Sequence, residues 1–264
     1  MTIVVKVGGA SGNAVDPVLA DLASRTDYVL VHGGSDAVDR LGTALGRPPQ
    51  YFTSPSGVVS RRSDAAHLEV VVLALAGQVQ TELVAALARR GVRALGLSGV
   101  DAGLLVARRK VGARAVVDGR VVHLTDDLAG TVERVDGDLL RTILGAGLVP
   151  VVGPPALTTD GEIVNVDADG VAAAVAATLG ASALVLLTNV PGLLRDKNDP
   201  ATLIPRVRPD EIDGVLPLAA GRMKKKLLAA RDAVRSGVSR VVIASSNGEA
   251  PVRDALAGGG TVIG

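Results

Sequence analysis

A lysine followed by a pair of glycines is the first chemically informative feature of the sequence. The residues are Lys6-Val7-Gly8-Gly9-Ala10, at the end of a predicted apolar strand. Glycine lets the backbone approach a ligand closely, so its exposed N–H groups can surround an anion. The lysine adds a positive charge on a flexible stem. The segment is therefore either an ordinary turn between a strand and a helix or part of a phosphate site.

A second glycine pair, His32-Gly33-Gly34-Ser35, stands in the same position after the next predicted strand. A helix is predicted to begin here, and the N–H groups at a helix N-terminus attract anions. His32 by itself is more often a hydrogen-bonded turn residue than a catalyst. Two glycine turns are more informative than one, because ligands of open α/β sheets bind at the carboxyl ends of the strands.

Two charged segments in the second half could complete such a site. Asn165-Val166-Asp167-Ala168-Asp169 precedes an alanine-rich helix. The helix dipole explains one acid at that position well and two less well. Gly221-Arg222-Met223-Lys224-Lys225-Lys226 begins another predicted helix. Consecutive helical residues lie about 100° apart, so at most one or two of these lysines can face one ligand, and the cluster is otherwise a solvated face.

The composition excludes several other kinds of chemistry. The 264 residues include no Cys and only three His, without ligand spacing, so we predict no metal site of the protein's own. Dinucleotide, P-loop and nucleophile-elbow motifs are missing. A net charge of +1 and 1% aromatic residues argue against nucleic-acid binding. No signal peptide is recognisable, so we expect a cytoplasmic protein without a membrane partner.

Short apolar runs alternate with helical stretches along the chain. The predicted core strands are Ile3–Val7, Tyr28–Val31, Ala94–Leu97, Leu148–Val152, Ala183–Thr188, Arg240–Ala244 and Thr261–Ile263. They are continuously apolar, which is typical of strands with helices on both faces. We therefore predict an α/β fold with three α/β/α layers and a central, mostly parallel sheet. The uncharged run Gly170–Leu187 superficially suits a membrane span, but Gly180 divides it into a buried helix and a buried strand.

Two segments interrupt this alternation. Gln50–Ser60 and Leu104–Leu124 are predicted β-hairpins, the second turning at Asp118-Gly119, and both should project over one edge of the sheet. A long helix is predicted from about Ser63 to Arg90. The proline-containing connection Val190–Pro217 is predicted to join two lobes, which we place at 1–175 and 176–264.

Six motifs occur in order along the whole chain. They are K-x-G-G, H-G-G, G-L-S-G-x-D at Gly96–Asp101, N-x-D-A-D, T-N-V-P-G at Thr188–Gly192, and the G-R-M-x-x-K helix start. Together they resemble the amino acid kinase family, specifically its acetylglutamate-kinase-like members. The resemblance implies a three-layer α/β/α fold. It also implies ATP-dependent phosphorylation of a side-chain carboxylate to an acyl phosphate, with Mg²⁺ bound with the nucleotide.

The resemblance implies roles for individual residues by motif position. Lys6 and Lys226 resemble lysines that neutralise the transferring phosphoryl group, Gly9 and Gly34 resemble backbone donors to its oxygens, and Asp169 resembles the carboxylate that orients the lysines. The implied substrate-binding residues are Gly33, Gly34, Ser35, Arg61 and Asn165. The implied nucleotide-binding residues are Lys6, Gly8, Gly9, Thr188, Asn189 and Lys226. The lobe 1–175 would then bind the substrate and the lobe 176–264 ATP.

Elementary chemistry agrees with these roles. A carboxylate with a reference pKa near ~4 is already ionised at neutral pH, so no general base is required. Positioning and charge stabilisation can then supply the catalysis. We therefore interpret Asp169 as the organiser of Lys6 and Lys226 and not as a proton acceptor.

Three departures from ordinary acetylglutamate kinases point to one branch of the family. The usual third glycine of H-G-G-G is Ser35, the usual G-L-R-V-T-D reads Val59–Asp64, and the usual G-G-M reads Gly221-Arg222-Met223. These changes resemble the branch that phosphorylates 2-aminoadipate or glutamate attached to a small acidic amino-group carrier protein, in lysine and sometimes arginine biosynthesis.

A basic stretch is the feature of the residues themselves that favours a protein-bound substrate. Ala107–Arg120 carries five basic residues against one acid, a local net charge of +4. Its predicted carrier-binding residues are Arg108, Arg109 and Lys110. Such a patch could steer an acidic protein to the site, or it could be a solvated hairpin.

Three alternatives remain at this point. The substrate could be free N-acetylglutamate, or the chain could be a non-catalytic regulator that binds a nucleotide or an amino acid, or, with weak support, it could bind nucleic acid. The first strand begins at Ile3 without a preceding helix. Arginine-regulated hexameric relatives have such a helix, so the resemblance implies a homodimer without that inhibition.

Overall fold

The computed structural model describes residues 1–53, 59–117, 120–219 and 221–264. The strands are β1 (Ile3–Val7), β2 (Tyr28–His32), β3 (Tyr51–Thr53), β4 (Val59–Arg61), β5 (Ala94–Ser98), β6 (Leu105–Arg109), β7 (Ala113–Val117), β8 (Arg120–Leu124), β9 (Gly130–Val135), β10 (Val149–Gly153), β11 (Ala156–Leu157), β12 (Ile163–Val164), β13 (Ala183–Thr188), β14 (Arg206–Val207), β15 (Val241–Ser245) and β16 (Thr261–Ile263). The α-helices are α1 (Asp16–Leu22), α2 (Ser35–Ala44), α3 (Ala65–Val71), α4 (Gln80–Ala88), α5 (Gly137–Gly145), α6 (Ala168–Leu179), α7 (Ile212–Val215), α8 (Gly221–Arg235) and α9 (Pro251–Leu256).

The central sheet has eight strands in the order β14-β16-β15-β13-β1-β2-β10-β5. The neighbours pair in parallel, except that β15 and β16 pair antiparallel. β1 lies between β13 and β2, and the register sets Val7 beside both His32 and Leu187. The loops after these three strands therefore leave the sheet at the same edge.

Helices cover both faces of this sheet, which confirms the three-layer prediction. Val4 and Leu184 lie in a buried cluster with residues of α6 and α8. Val5 lies in a second buried cluster with residues of α1, α4 and α9. Because side chains alternate along a strand, Lys6 shares the face of Val4 and points toward α6 and α8.

The predicted core strands all form, with ends that differ by at most one residue from the prediction. The uncharged run divides as predicted into the helix α6 and the strand β13, with Gly180 in the left-handed conformation between them. The proposed lobe boundary at 175/176 falls inside α6. The eight-stranded sheet includes strands from both proposed lobes.

The prediction for the two hairpins is half right. β3 and β4 pair antiparallel as predicted. The second predicted hairpin is wrong in its first strand, because β6 pairs with β9 in a separate four-stranded sheet, β12-β11-β6-β9. The hairpin that forms is β7 with β8, and its predicted turn at Asp118-Gly119 lies outside the described residues.

The predicted long helix is continuous from α3 to α4 but contains a π-helical segment, Val72–Val79, between them. Asp64 caps its start by accepting a hydrogen bond from the backbone N–H of His67 at 2.9 Å. By length and composition alone, the run Ala65–Ala88 could cross a membrane. In the structure it packs against α2, β5 and β10.

Candidate active site

A buried carboxylate joins two buried lysines at the edge where β1 ends. Nζ of Lys6 lies 2.8 Å from Oδ1 of Asp169. Nζ of Lys226 donates to the same carboxylate, at 3.0 Å from Oδ1 and 3.1 Å from Oδ2. All three residues are at most 6% exposed. The sequence motifs that contain them are widely separated, and the fold brings them to one point.

The sequence folds so that each of these side chains has a rigid support. Lys6 lies on the central strand β1. Asp169 occupies the first turn of α6, whose start is capped by Asp167, since a carboxylate oxygen of Asp167 accepts a hydrogen bond from the N–H of Asp169 at 2.9 Å. Lys226 lies on the inward face of α8, whereas Lys225 is exposed and lies 3.7 Å from Asp167. As predicted, the helix geometry allows only part of the lysine cluster to enter the site.

The three charges shift one another's pKa values. Burial alone would raise the pKa of Asp169, but Lys6 and Lys226 outweigh it and lower that pKa to about 2. Burial, together with the charge of Lys6, lowers the pKa of Lys226 to about 8. Burial would also lower the pKa of Lys6, yet the charge of Asp169 raises it above its usual value. At neutral pH the cluster therefore holds two ammonium groups on one carboxylate.

The two glycine turns touch each other beside this cluster. A Cβ atom on Gly9 would lie 2.1 Å from the backbone nitrogen of Gly34. The carbonyl of Gly9 accepts a hydrogen bond from Asp36 N at 2.9 Å and one from Ser35 Oγ at 3.2 Å. A Cβ atom on Gly33 would lie 3.9 Å from Nζ of Lys6. The structure therefore brings Gly9, Gly33, Gly34 and Ser35 next to the lysine pair, and only glycine fits at Gly9.

Side chains that follow β13 and β15 hold the rest of the first glycine loop. Asn189 Nδ2 donates to the carbonyl of Ser11 at 3.3 Å. Asn247 Nδ2 donates to the carbonyl of Gly12 at 3.0 Å. The N–H of Gly8 donates to the carbonyl of Leu187 at 3.2 Å, and Thr188 is buried at the end of β13. Gly8, Thr188 and Asn189, three of the predicted nucleotide-binding residues, thus lie at the same edge of the sheet.

Asn165, one of the predicted substrate-binding residues, is oriented by Ser63, which the sequence analysis did not assign to the site. Asn165 Nδ2 donates to Ser63 Oγ at 3.2 Å, and Ser63 lies two residues after Arg61. The N–H of Ser63 donates to Oδ1 of the buried Asp127 at 3.1 Å. Ser63 therefore fixes the orientation of the Asn165 amide. Its place two residues after Arg61 is the sequence signal that could have pointed to this role.

Arg61 is already held by an acidic partner. Its Nη2 lies 2.7 Å from Oδ1 of Asp39 and 3.2 Å from the hydroxyl oxygen of Tyr51. The guanidinium carbon also lies 5.6 Å from the centre of the Tyr51 ring. These contacts fix the arginine, and a substrate carboxylate would have to share it with Asp39.

The predicted carrier-binding residues differ in their surroundings. Arg108 pairs with Glu133 at 2.6 Å, across the β6–β9 ladder. Arg109 pairs with Glu162 at 2.9 Å and donates to the backbone carbonyl of Asp127 at 2.8 Å. Lys110 is exposed. Acids from other segments therefore reduce the local excess of +4 counted along the sequence.

A cavity of about 660 Å³ lies against both glycine turns. Val7, Leu19 and Leu83, which belong to the buried cluster on the face opposite Lys6, are among its lining residues. Within the described ranges, no group of three or more metal-ligating side chains could hold a metal ion. Lys6 and Lys226 are not among the lining residues of this cavity. The lysine cluster offers two ammonium groups and the adjoining glycine turns offer backbone N–H groups, a combination that suits a phosphate-sized anion.

Comparisons with known proteins agree on one family. The sequence profile of the amino acid kinase family matches residues 1–245. The LysW-aminoadipate kinase of Deinococcus radiodurans is 46% identical over 265 residues, which is 99% of this chain and 91% of the relative. The LysW-aminoadipate kinase of Thermus thermophilus is 45% identical, over 99% of both chains. The acetylglutamate kinase of Methanopyrus kandleri is 41% identical, over 98% of this chain and 99% of the relative.

Solved structures confirm the fold. The N-acetylglutamate synthase of Neisseria gonorrhoeae, complexed with coenzyme A and N-acetylglutamate, matches with a TM-score of 0.78 at 28% identity, over 99% of this chain and 59% of that one. The carbamate kinase of Giardia lamblia, bound to AMP-PNP, matches with a TM-score of 0.66 at 16% identity, over 99% of this chain and 98% of that one. At that identity the second match shows only a shared fold.

Proposed function

Because this chain belongs to the amino acid kinase family, we propose that it transfers the γ-phosphoryl group of ATP to the side-chain carboxylate of 2-aminoadipate attached to an amino-group carrier protein. Glutamate on the same carrier is the second candidate substrate. Support comes from the two LysW-aminoadipate kinases that are 45–46% identical over nearly the full chain. The product is an acyl phosphate in lysine, or in arginine, biosynthesis.

The lysine–aspartate–lysine cluster is the observation that carries this proposal. In the transfer, a carboxylate oxygen forms a bond to the γ-phosphorus, the bond from that phosphorus to the β,γ-bridging oxygen breaks, and ADP leaves with the electron pair. No proton has to move, because the nucleophile is already ionised. Lys6 and Lys226 would balance the charge on the phosphoryl oxygens, and Asp169 would hold both ammonium groups in place.

We assign the remaining residues by their position around this cluster. The N–H groups of Gly9 and Gly34 would donate to the phosphoryl oxygens. Arg61 would bind the α-carboxylate of the substrate and Asn165 its attached amide. The C-terminal lobe, 176–264, would bind ATP through the edge formed by Thr188 and Asn189, and the lobe 1–175 would bind the substrate.

We propose that Mg²⁺ enters with ATP, coordinated by phosphate oxygens and water. It would neutralise part of the phosphate charge. This chain's own residues would position the phosphates through the lysines and the backbone N–H groups.

Exposure decides which basic residues would meet an acidic carrier. Lys110 is exposed, and it follows directly after β6. Arg114 and Arg120 are exposed on the hairpin of β7 and β8. Arg108 is also exposed, but Glu133 already neutralises its charge. Arg109 is partly buried and holds the backbone of Asp127, which in turn supports Ser63. We therefore place the first contact with the carrier at Lys110 and on this hairpin.

A second candidate function is phosphorylation of free N-acetylglutamate, which the 41% identity to the Methanopyrus kandleri acetylglutamate kinase favours. A hydroxamate assay of acyl phosphate separates the two. The substrates to compare are free acetylglutamate, acetyl-aminoadipate and the carrier-linked forms of both amino acids. Turnover only with the carrier-linked forms supports our proposal, and efficient turnover of free acetylglutamate overturns it. No turnover with any of them, together with nucleotide binding, would favour the non-catalytic regulator.

We also propose that the chain is a cytoplasmic homodimer. Strand β5 is an edge of the central sheet, and Leu95 on it is 37% exposed. Leu73, in the π-helical segment, is 48% exposed. These are apolar side chains that a second copy could cover. Light scattering after size-exclusion chromatography should give a dimer for the native chain and a monomer for Leu73→Glu, and a monomeric native chain would contradict this.

A further inference from the structure

His32 is completely buried at the end of β2, and its side chain contacts the second glycine turn, Gly33-Gly34. Its solvent exposure is 0%. Its Nδ1 lies 3.1 Å from the carbonyl oxygen of Gly33. That carbonyl belongs to the peptide group whose N–H is contributed by Gly34. The imidazole therefore contacts the same peptide unit that faces Gly9 on its other side.

Glycines on neighbouring strands leave space for the side chains of His32 and Gln80. A Cβ atom on Gly153 of the neighbouring strand β10 would lie 2.3 Å from Nε2 of His32. A Cβ atom on Gly96 of β5 would lie 2.8 Å from Nε2 of Gln80. His32 thus occupies the space that Gly153 leaves open, and Gln80 occupies the space that Gly96 leaves open. The two glycines lie on the adjacent strands β10 and β5.

Gln80 directly follows the π-helical segment of the long helix. Val72–Val79 is π-helical, and Gln80 begins α4 directly after it with an exposure of 8%. Such segments change the rotational position of the residues that follow and are frequent at functional sites. The same segment supports the glycine turn, since a Cβ on Gly34 would lie 2.4 Å from a methyl carbon of Leu75.

The environment of His32 favours the neutral form of its imidazole. Burial lowers the pKa of His32, and the nearby charge of Lys6 lowers it further, whereas the Gly33 carbonyl and the neighbouring Gln80 amide raise it. A neutral imidazole whose Nδ1 donates to a carbonyl has a lone pair on Nε2. Nε2 of His32 and Oε1 of Gln80 are both buried and have no hydrogen-bond partner among the described residues. Rotating the Gln80 amide, whose oxygen and nitrogen are nearly indistinguishable in shape, turns its NH₂ toward that lone pair.

We propose that His32, held in its Nδ1–H tautomer by Gln80, is a positioning residue that fixes the Gly33–Gly34 peptide of the phosphate-binding turn. A trans peptide places its C=O and N–H on opposite sides. Holding the Gly33 carbonyl toward His32 therefore directs the Gly34 N–H away from it, on the side where Gly9 lies. The histidine takes no proton from the substrate and does not touch it. This inference rests on the proposed function, in which that N–H stabilises the transferring phosphoryl group.

Two substitutions test this role, because their side-chain amides replace different nitrogens of the imidazole. The amide nitrogen of His32→Asn can occupy the place of Nδ1, whereas that of His32→Gln can occupy the place of Nε2 and leaves the Gly33 carbonyl without a donor. We expect kcat to remain within about threefold in His32→Asn and to fall about tenfold to a hundredfold in His32→Gln, since a misdirected donor loses transition-state stabilisation. The KM for ATP should change by less than threefold in both. Equal losses of kcat in the two variants would overturn the proposal.

A second measurement needs neither activity nor a change at His32. In the ¹⁵N spectrum of the native chain labelled at histidine, one imidazole should show a protonated Nδ1 and an unprotonated Nε2, without titration between pH 6 and 8. His67 and His123 are assigned from His67→Asn and His123→Asn samples, which leaves His32. An Nε2–H tautomer, or titration near the ordinary histidine pKa of about 6.5, would overturn the proposal. If the native chain shows the expected tautomer but no kinase activity with any substrate, the proposed function fails and the tautomer stands.

Discussion

Lys6 and Lys226 donate to the same oxygen atom of one buried carboxylate, Oδ1 of Asp169, at 2.8 Å and 3.0 Å. One lysine comes from the first strand and the other from α8 in the last quarter of the chain. Two ammonium groups repel each other in a water-poor site, so the shared carboxylate is what allows both to remain there. An incoming phosphate would meet two positive charges already in position.

Removal of either lysine should reduce turnover far more than binding. For Lys6→Met we expect kcat to fall on the order of 10²–10³, as for the loss of one donor to a transition-state anion. Steady-state kinetics with the carrier-linked substrate measures this. Lys224→Met is the matched control, because Lys224 is exposed on the same helix that carries Lys226. A Lys6→Met enzyme with native kcat would remove this residue from the mechanism.

The pH dependence of activity should report Lys226. Because the pKa of Lys226 is lowered to about 8 in the ATP-free protein, this lysine is charged below pH 8 and neutral above it. The value of kcat/KM for ATP, which reflects free enzyme, should therefore fall above pH 8, with a slope approaching one. Bound phosphates raise the pKa of the same group, so kcat should stay level to higher pH.

Replacing Lys226 with arginine shows whether Lys226 or another titrating group causes this decline. A guanidinium remains charged throughout this range, so Lys226→Arg should lose the decline of kcat/KM above pH 8, whatever its absolute rate. An unchanged decline in that variant would show that a different group titrates.

Replacement of the shared carboxylate should destabilise the protein. Asp169→Asn leaves two buried ammonium groups without a counter-charge, and we expect the free energy of unfolding to fall by about 3–5 kcal/mol. Urea unfolding followed by circular dichroism measures the change. The double variant Asp169→Asn/Lys226→Met should recover part of the loss, because it removes one uncompensated charge. A double variant less stable than Asp169→Asn would contradict this electrostatic explanation.

Charge reversal should identify the carrier-binding surface. With the carrier-linked substrate, Lys110→Glu should raise KM several-fold at low ionic strength, and the effect should shrink as salt screens the attraction. The matched control is Arg253→Glu, an exposed residue on α9, which packs against α1. Equal KM values for both variants and the native enzyme would exclude Lys110 from this surface.

Most of the central sheet and the lysine cluster could be predicted from the sequence. Continuous apolar runs predict buried parallel strands, and the glycine turns after β1 and β2 predict the edge where ligands bind. Helix geometry predicts that at most one or two of the three consecutive lysines face the site. The choice of Lys226 among them came from the family resemblance and not from the spacing of the residues. In the structure, that choice follows from which face of α8 packs against α6.

The parts that the sequence could not predict depend on contacts between distant segments. β6 pairs with β9 across the intervening hairpin, and no local pattern specifies that register. The same pairing places Glu133 beside Arg108, so a charge count along the chain overestimates the exposed basic surface. Ser63 and Gln80 are ordinary polar residues in sequence, and only their burial beside Asn165 and His32 gives them a role.

The most direct test of the central claim follows the phosphoryl group itself. In a single turnover with ATP labelled at the γ-phosphorus, the label should appear on carrier-linked 2-aminoadipate as a hydroxylamine-labile acyl phosphate, with one ADP formed per label transferred. The Lys6→Met variant should transfer label at a rate lower by about two orders of magnitude or more. Label that appears only as inorganic phosphate, or transfer at the native rate by that variant, would contradict a mechanism in which the two lysines stabilise a phosphoryl group on its way to the carboxylate.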